Sequence, residues 1–161
     1  MSIAPLRTAA VSALGLLTFF VASASAQGFS TKLQISPPGG GHCIAVSNGD
    51  AVPEQGLQMA DCDSSAAQIF IYDPAGMHLT IGSLCVDANG GKPGDLVKLR
   101  SCEAGANQIW KSEPKGNFTK LVGQNGLCLD IRYGSKEIGA PVQSWNCGDS
   151  EPNQLWSFQR E

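Results

Sequence analysis

Two short markers recur three times along this 161-residue chain, in the same order and at nearly the same spacing, and that repetition restricts its fold more than any other feature. The first opens on a cysteine: Cys43-Ile44-Ala45, Cys85-Val86-Asp87 and Cys128-Leu129-Asp130. The second closes each unit: Gln68-Ile69-Phe70, Gln108-Ile109-Trp110 and Gln154-Leu155-Trp156. The cysteine marker returns after 42 and then 43 residues, the glutamine marker after 40 and then 46. A unit this short cannot bury an apolar face alone, so three copies are expected to pack on one another with threefold pseudosymmetry. The six cysteines, at 43, 62, 85, 102, 128 and 147, have successive gaps of 19, 23, 17, 26 and 19. This alternation of short and long gaps favours one local bridge per unit: Cys43–Cys62, Cys85–Cys102 and Cys128–Cys147.

Residues 1–26 read as a secretory signal peptide. Arg7 precedes an apolar run from Thr8 to Ala22, and Ala24-Ser25-Ala26 has the small-x-small pattern of a cleavage site. The run is short for a spanning helix and is interrupted by Ser12, Gly15 and Thr18. Cleavage there would leave one domain, residues 27–161, with repeats at about 27–72, 73–112 and 113–161. Export would place the cysteines in an oxidising compartment, where disulfides support a lean core. Zinc fits poorly, because the chain has no Cys-x-x-Cys pair and its two histidines, His42 and His78, lie far apart. The net charge is −3, 16% of residues are charged and no basic run occurs, so nucleic acid is not an expected partner. The lack of a second apolar run argues against membrane insertion.

Within each unit, short apolar or alternating runs such as Leu84–Asp87, Leu96–Arg100 and Ile109–Lys111 are separated by turn clusters such as Asn89-Gly90-Gly91-Lys92-Pro93-Gly94. No stretch after residue 27 keeps a helical period. Further strands near 31–35, 77–81 and 118–122 bring the count to about four per unit. Such short strands are best protected by closing on one another, so an all-β barrel is expected.

These residues resemble the ricin-type (R-type) lectins, a family also found as carbohydrate-binding modules of glycosidases. The resemblance rests on Cys-x-Asp, a second cysteine 17 or 19 residues on, and Gln-x-Trp, and it spans the chain beyond the leader. It implies an all-β β-trefoil with up to three shallow sugar sites, one per repeat, often for galactose or N-acetylgalactosamine and in some members for xylan.

The third repeat carries every position of the family's sugar-binding pattern. Asp130 would be the anchor, since a carboxylate can accept bonds from two adjacent hydroxyls and such charge-assisted bonds are strong. Trp145 would stack on the apolar face of a pyranose. Gln143, two residues earlier on the same strand face, and Asn153 would bond the remaining hydroxyls. Gln154 would touch the ligand or hold Asp130, and Tyr133 is an alternative stacking partner. Trp145 has no counterpart in the other units, and a purely structural residue should recur with the symmetry.

The second repeat retains Asp87, Asn107 and Gln108, but Lys98 and Arg100 stand where Gln143 and Trp145 stand in the third. It is expected to be a weaker site, with Arg100 either lying along a sugar face or pairing with Asp87 and closing it. The first repeat has Ala45, Ala60 and Ala67 at the matching positions and is expected not to bind. The Gln-x-Trp residues are expected to be structural. Asn117-Phe118-Thr119 is a sequon that could carry an N-linked glycan.

No motif selects a nucleophile, a metal-dependent hydrolytic centre or a phosphate loop, so neither an enzyme nor a cofactor is expected. Asp87-Ala88-Asn89-Gly90-Gly91 begins like a calcium loop, but Gly91 and Lys98 replace oxygen ligands, and no metal is expected. The resulting expectation is a secreted, extracellular lectin whose partners are glycans or glycoconjugates, with oligomers or clustered ligands needed for tight binding. The rival is a β-trefoil protease inhibitor, which would give no reason for Asp130, Gln143, Trp145 and Asn153 to occur together.

Overall fold

The computed structural model describes residues 29–35, 41–63 and 65–160; the expected leader and its cleavage site lie outside them. Twelve strands are formed among the described residues: β1 (Phe29–Ile35), β2 (His42–Val46), β3 (Leu57–Asp61), β4 (Phe70–Asp73), β5 (His78–Ile81), β6 (Leu84–Asp87), β7 (Lys98–Ser101), β8 (Trp110–Lys115), β9 (Phe118–Gly123), β10 (Leu127–Ile131), β11 (Val142–Asn146) and β12 (Trp156–Arg160). The second-repeat strand expected over 96–100 begins two residues late. Leu96 instead forms an isolated bridge with Gln143 of the third repeat.

Each repeat contributes two barrel strands and one hairpin. The antiparallel ladder runs β5-β4-β1-β12-β9-β8. The Trp110 N–H, at the start of β8, donates to the Met77 carbonyl just before β5 at 2.7 Å and brings the ends together. The hairpins β2–β3, β6–β7 and β10–β11 join the barrel at the first cysteine of each repeat, through the pairs Gln34↔Cys43, Thr80↔Cys85 and Val122↔Cys128. Bridges Gly56↔Lys98, Leu96↔Gln143 and Pro141↔Gln58 then tie the three hairpins into a triangle. Short turns follow β4 and β8, over 74–77 and 116–117. The bridges Cys43–Cys62, Cys85–Cys102 and Cys128–Cys147 each staple one hairpin.

The core follows the same symmetry. Ile44, Val86 and Leu129, each directly after a first cysteine, are fully buried, as are Phe70, Trp110 and Trp156 of the closing markers. Ser144 departs from this pattern: it occupies the position of Met59 and Leu99, three residues before the second cysteine, and is equally buried. Its hydroxyl has no hydrogen-bond partner among the described residues.

The glutamine of each closing marker straddles the second cysteine. Gln68, Gln108 and Gln154 donate Nε2–H to the carbonyls of Asp61, Ser101 and Asn146, and their Oε1 atoms accept from the N–H groups of Asp63, Glu103 and Gly148. All six bonds are 2.6–3.0 Å long. A buried amide that satisfies a backbone donor and a backbone acceptor explains why glutamine recurs there.

Candidate functional site

In the third repeat, the register Asp130↔Gln143 and Cys128↔Trp145 of β10–β11 puts the carboxylate and the indole two rungs apart on one hairpin. All of β10 is buried, whereas β11 runs from buried Val142, Gln143 and Ser144 to exposed Trp145 and Asn146. The anchor therefore sits at the floor and the indole at the rim. Trp145 is 44% exposed and Tyr133, in the Arg132–Gly134 turn after β10, is 87% exposed; Asp130 is 1% exposed. Asp130, Tyr133, Gln143, Trp145, Asn153 and Gln154, with Glu151 and the 146–148 loop, line one open cleft of about 460 Å3. All six residues expected at a third-repeat site thus come together.

The bonding of Gln143 and Asn153 differs from the expectation. Oδ1 of Asp130 accepts from Gln143 Nε2 at 2.8 Å, and Oδ2 accepts from Asn153 Nδ2 at 2.5 Å and Gln154 Nε2 at 2.9 Å. Three of the carboxylate's roughly four acceptor positions are occupied by the protein itself. One hydroxyl can bond to the open Oδ1 position; a second must displace an amide, and Asn153 is the more exposed candidate. Gln154 holds Asp130, one of its two expected roles, while Gln143 braces the carboxylate instead of pointing freely at a ligand. Burial pushes the Asp130 carboxyl above its ordinary value of 3.8, the bonds from Gln143, Gln154 and Asn153 oppose that rise, and the nearby Glu151 charge adds to it.

Glu151 and Gly148 were not anticipated from sequence. A side chain at Gly148 would collide with that of Glu151, and the buried Lys120 donates its Nζ–H to the Gly148 carbonyl. The loop after Cys147 is thereby held at both backbone groups of one residue: the Gly148 N–H by Gln154 and the Gly148 C=O by Lys120.

The second repeat reproduces the floor but not the opening. Asp87 is buried and accepts from Gln108 Nε2 at 3.1 Å, while Asn107 is exposed and its carbonyl accepts from the Ala88 N–H. Arg100, in the register position of Trp145, does not chiefly pair with Asp87, whose Oδ1 is 4.0 Å from its Nε. Its main partners are Glu54, with Nη1 to Oε1 at 3.1 Å, and Asn89, with Nη2 to Oδ1 at 2.9 Å. Lys98 Nζ reaches the same Glu54 carboxylate at 3.0 Å and holds it below the usual range. Sequence reasoning missed Glu54 because it belongs to the first repeat. A signal existed: Glu54 stands where the other two repeats place Gly94 and Gly139, and all three have a left-handed backbone, with φ of 69°, 92° and 87°. Gly94 lies against Trp145 as Glu54 lies against Arg100.

In the first repeat, Ala45 and Ala67 are buried at the positions of Asp130 and Asn153 and supply no polar group. Asn117 is exposed in the β8–β9 turn. Among the described residues, no group of three His, Cys, Asp or Glu side chains could hold a metal ion.

A model of the ricin-type beta-trefoil lectin domain matches residues 31–156. Among curated proteins, beta-galactoside-specific lectin 2 of Viscum album is 43% identical over 51 residues, covering 31% of this chain and only 8% of that much longer protein. Among solved structures, the designed threefold-symmetric protein ThreeFoil superposes with a TM-score of 0.75 at 21% identity, covering 82% of this chain and 99% of that one. The C-terminal half of an earthworm R-type lectin, solved in complex with GalNAc, gives 0.66 at 16% identity over 83% and 99% of the two chains. With the family match extending over nearly the whole described region, and a trefoil of three disulfide-stapled repeats beneath it, this chain belongs to the ricin-type β-trefoil lectin domain family.

Proposed function

We propose that the protein is a secreted, non-catalytic carbohydrate-binding lectin that holds a hexose of the galactose or N-acetylgalactosamine type, or a xylan-type chain, in its third repeat. One observation carries the reading: a buried carboxylate, braced by three amides and with an acceptor position left open, faces a cleft rimmed by an exposed indole. A pyranose presents both complements, vicinal hydroxyls for Asp130 and a C–H face for Trp145. In this reading the second repeat is closed to neutral sugars, because the Arg100 guanidinium, tethered by Glu54 and Asn89, occupies the stacking position. A single shallow site binds weakly, so high avidity comes from clustered glycans. The apolar leader and the three disulfides support export.

The test is a glycan array probed with wild type, Asp130→Ala and Trp145→Ala, alongside an assay of common proteases. Binding to a defined glycan set that both substitutions abolish supports the lectin. Glycan binding indifferent to both moves the site elsewhere, and protease inhibition without glycan binding replaces the reading with that of an inhibitor.

A further inference from the structure

Tyr133 is a large aromatic side chain in a backbone conformation that large side chains avoid. Its φ is 62° and ψ 14°, inside the left-handed region where glycine and asparagine are the inexpensive residues, and Gly134 follows at φ 60°. Burial does not explain the residue, because Tyr133 is 87% exposed, the most exposed large apolar side chain described. The ring is nevertheless oriented: the Arg132 guanidinium lies over it, 5.0 Å from the centroid, which backs one face and leaves the other open. Strained residues of this kind cluster at ligand sites.

Its position relative to the anchor indicates what that ligand is. Trp145 pairs with Cys128, two residues before Asp130, while Tyr133 lies three residues after Asp130. From Cys128, the cross-strand partner of Trp145, to Tyr133 the backbone covers about 13 Å of contour, from the rise of two strand residues and three residues of tighter turn, which bounds how far apart the two rungs lie along the hairpin. Asp130 stands between them. Asn153 joins the two ends of the floor: it donates to the Asp130 carboxylate and to the Ile131 carbonyl, and its side chain lies beside Gly134. Both aromatics line the same cleft of about 460 Å3.

We infer that Tyr133 is a second stacking platform beyond Asp130, and that the third-repeat cleft takes a saccharide of at least two rings, one on Trp145 and the next on Tyr133. This rests on the carbohydrate-binding reading above and specifies its substrate class.

Tyr133→Asn separates the ring from the backbone, because asparagine accepts the left-handed conformation at lower cost. Calorimetric titrations of wild type, Tyr133→Asn and Asp130→Ala would compare galactose with lactose and xylose with xylobiose. In wild type, one disaccharide should bind about fivefold or more tighter than its monosaccharide. In Tyr133→Asn that advantage should fall to about one, and Tm should hold or rise as strain is relieved. A retained disaccharide advantage, or a wild type that binds one ring as tightly as two, overturns the inference and leaves the lectin reading intact. Loss of monosaccharide binding in Tyr133→Asn also overturns it, making Tyr133 the primary platform. No saccharide binding by wild type, with Asp130→Ala indistinguishable from it, overturns the underlying reading and this inference together.

Discussion

Asp130→Asn sets binding against folding at one atom. Because folding holds this carboxyl above 3.8, the folded state favours its neutral form. The stability linked to that proton is complete below the unfolded value, near 3.8, and is lost as pH rises through the raised value. Once ionised, Asp130 is less favourable to the fold than its neutral form, a difference that an uncharged isostere does not carry. The amide can also be accommodated. Its oxygen can accept from Asn153 and Gln154 as Oδ2 does, and its nitrogen can donate to Gln143 if that amide turns over. At pH 7 the variant should be at least as stable as wild type, and wild type should gain on it as pH falls toward 4. Binding should move the opposite way. Exchanging charge-assisted bonds of about 1.5 to 3 kcal/mol for neutral ones of about 1 kcal/mol weakens affinity about 2- to 30-fold for each sugar hydroxyl bonded. Thermal melts from pH 3 to 8, with titration of lactose and xylobiose at pH 7, measure both. A variant that melts more than about 5 °C below wild type at pH 7, equivalent to about 1 to 2 kcal/mol in a domain of this size, would show that the carboxylate is retained for the fold and refute the reasoning.

Trp156→Ala and Trp145→Ala should dissociate in the same two assays. Trp156 is fully buried, and its truncation should cost about 3 to 5 kcal/mol; Trp145→Ala should cost less stability but about tenfold in sugar affinity, and equal destabilisation by the two would contradict the rim placement. Ser144→Ala removes a buried hydroxyl without a partner among the described residues and should raise stability by about 1 kcal/mol in denaturant titration; a loss of stability would reveal an unrecognised bond. Glu54→Gly supplies the residue that the other two repeats use at this left-handed position and gives up only exposed ion pairs, so Tm should hold or rise. A clear fall in Tm would show that the clamp on Arg100 contributes to the fold.

Repeat spacing, the alternation of cysteine gaps and turn-separated apolar runs were enough to specify three four-stranded units, their local bridges and a closed all-β architecture, because each depends on pairing within about 40 residues of chain. The same locality made the residues of the third-repeat cleft legible, since Asp130, Gln143 and Trp145 share one hairpin and Asn153 and Gln154 follow it. Which groups remain open to a ligand was decided by tertiary structure. Gln143 and Asn153 could be read as ligand donors, and Gln154 as a donor or a brace for Asp130, until the fold turned all three amides onto one carboxylate. Arg100 could be read as facing Asp87 until the hairpin triangle brought Glu54 across from the first repeat. The exposure and left-handed backbone of Tyr133 have no signature in its residue type. Local register follows from spacing along one strand pair, but the choice among competing hydrogen-bond and ion-pair partners is made between segments distant in sequence, and is settled only when the three repeats pack together.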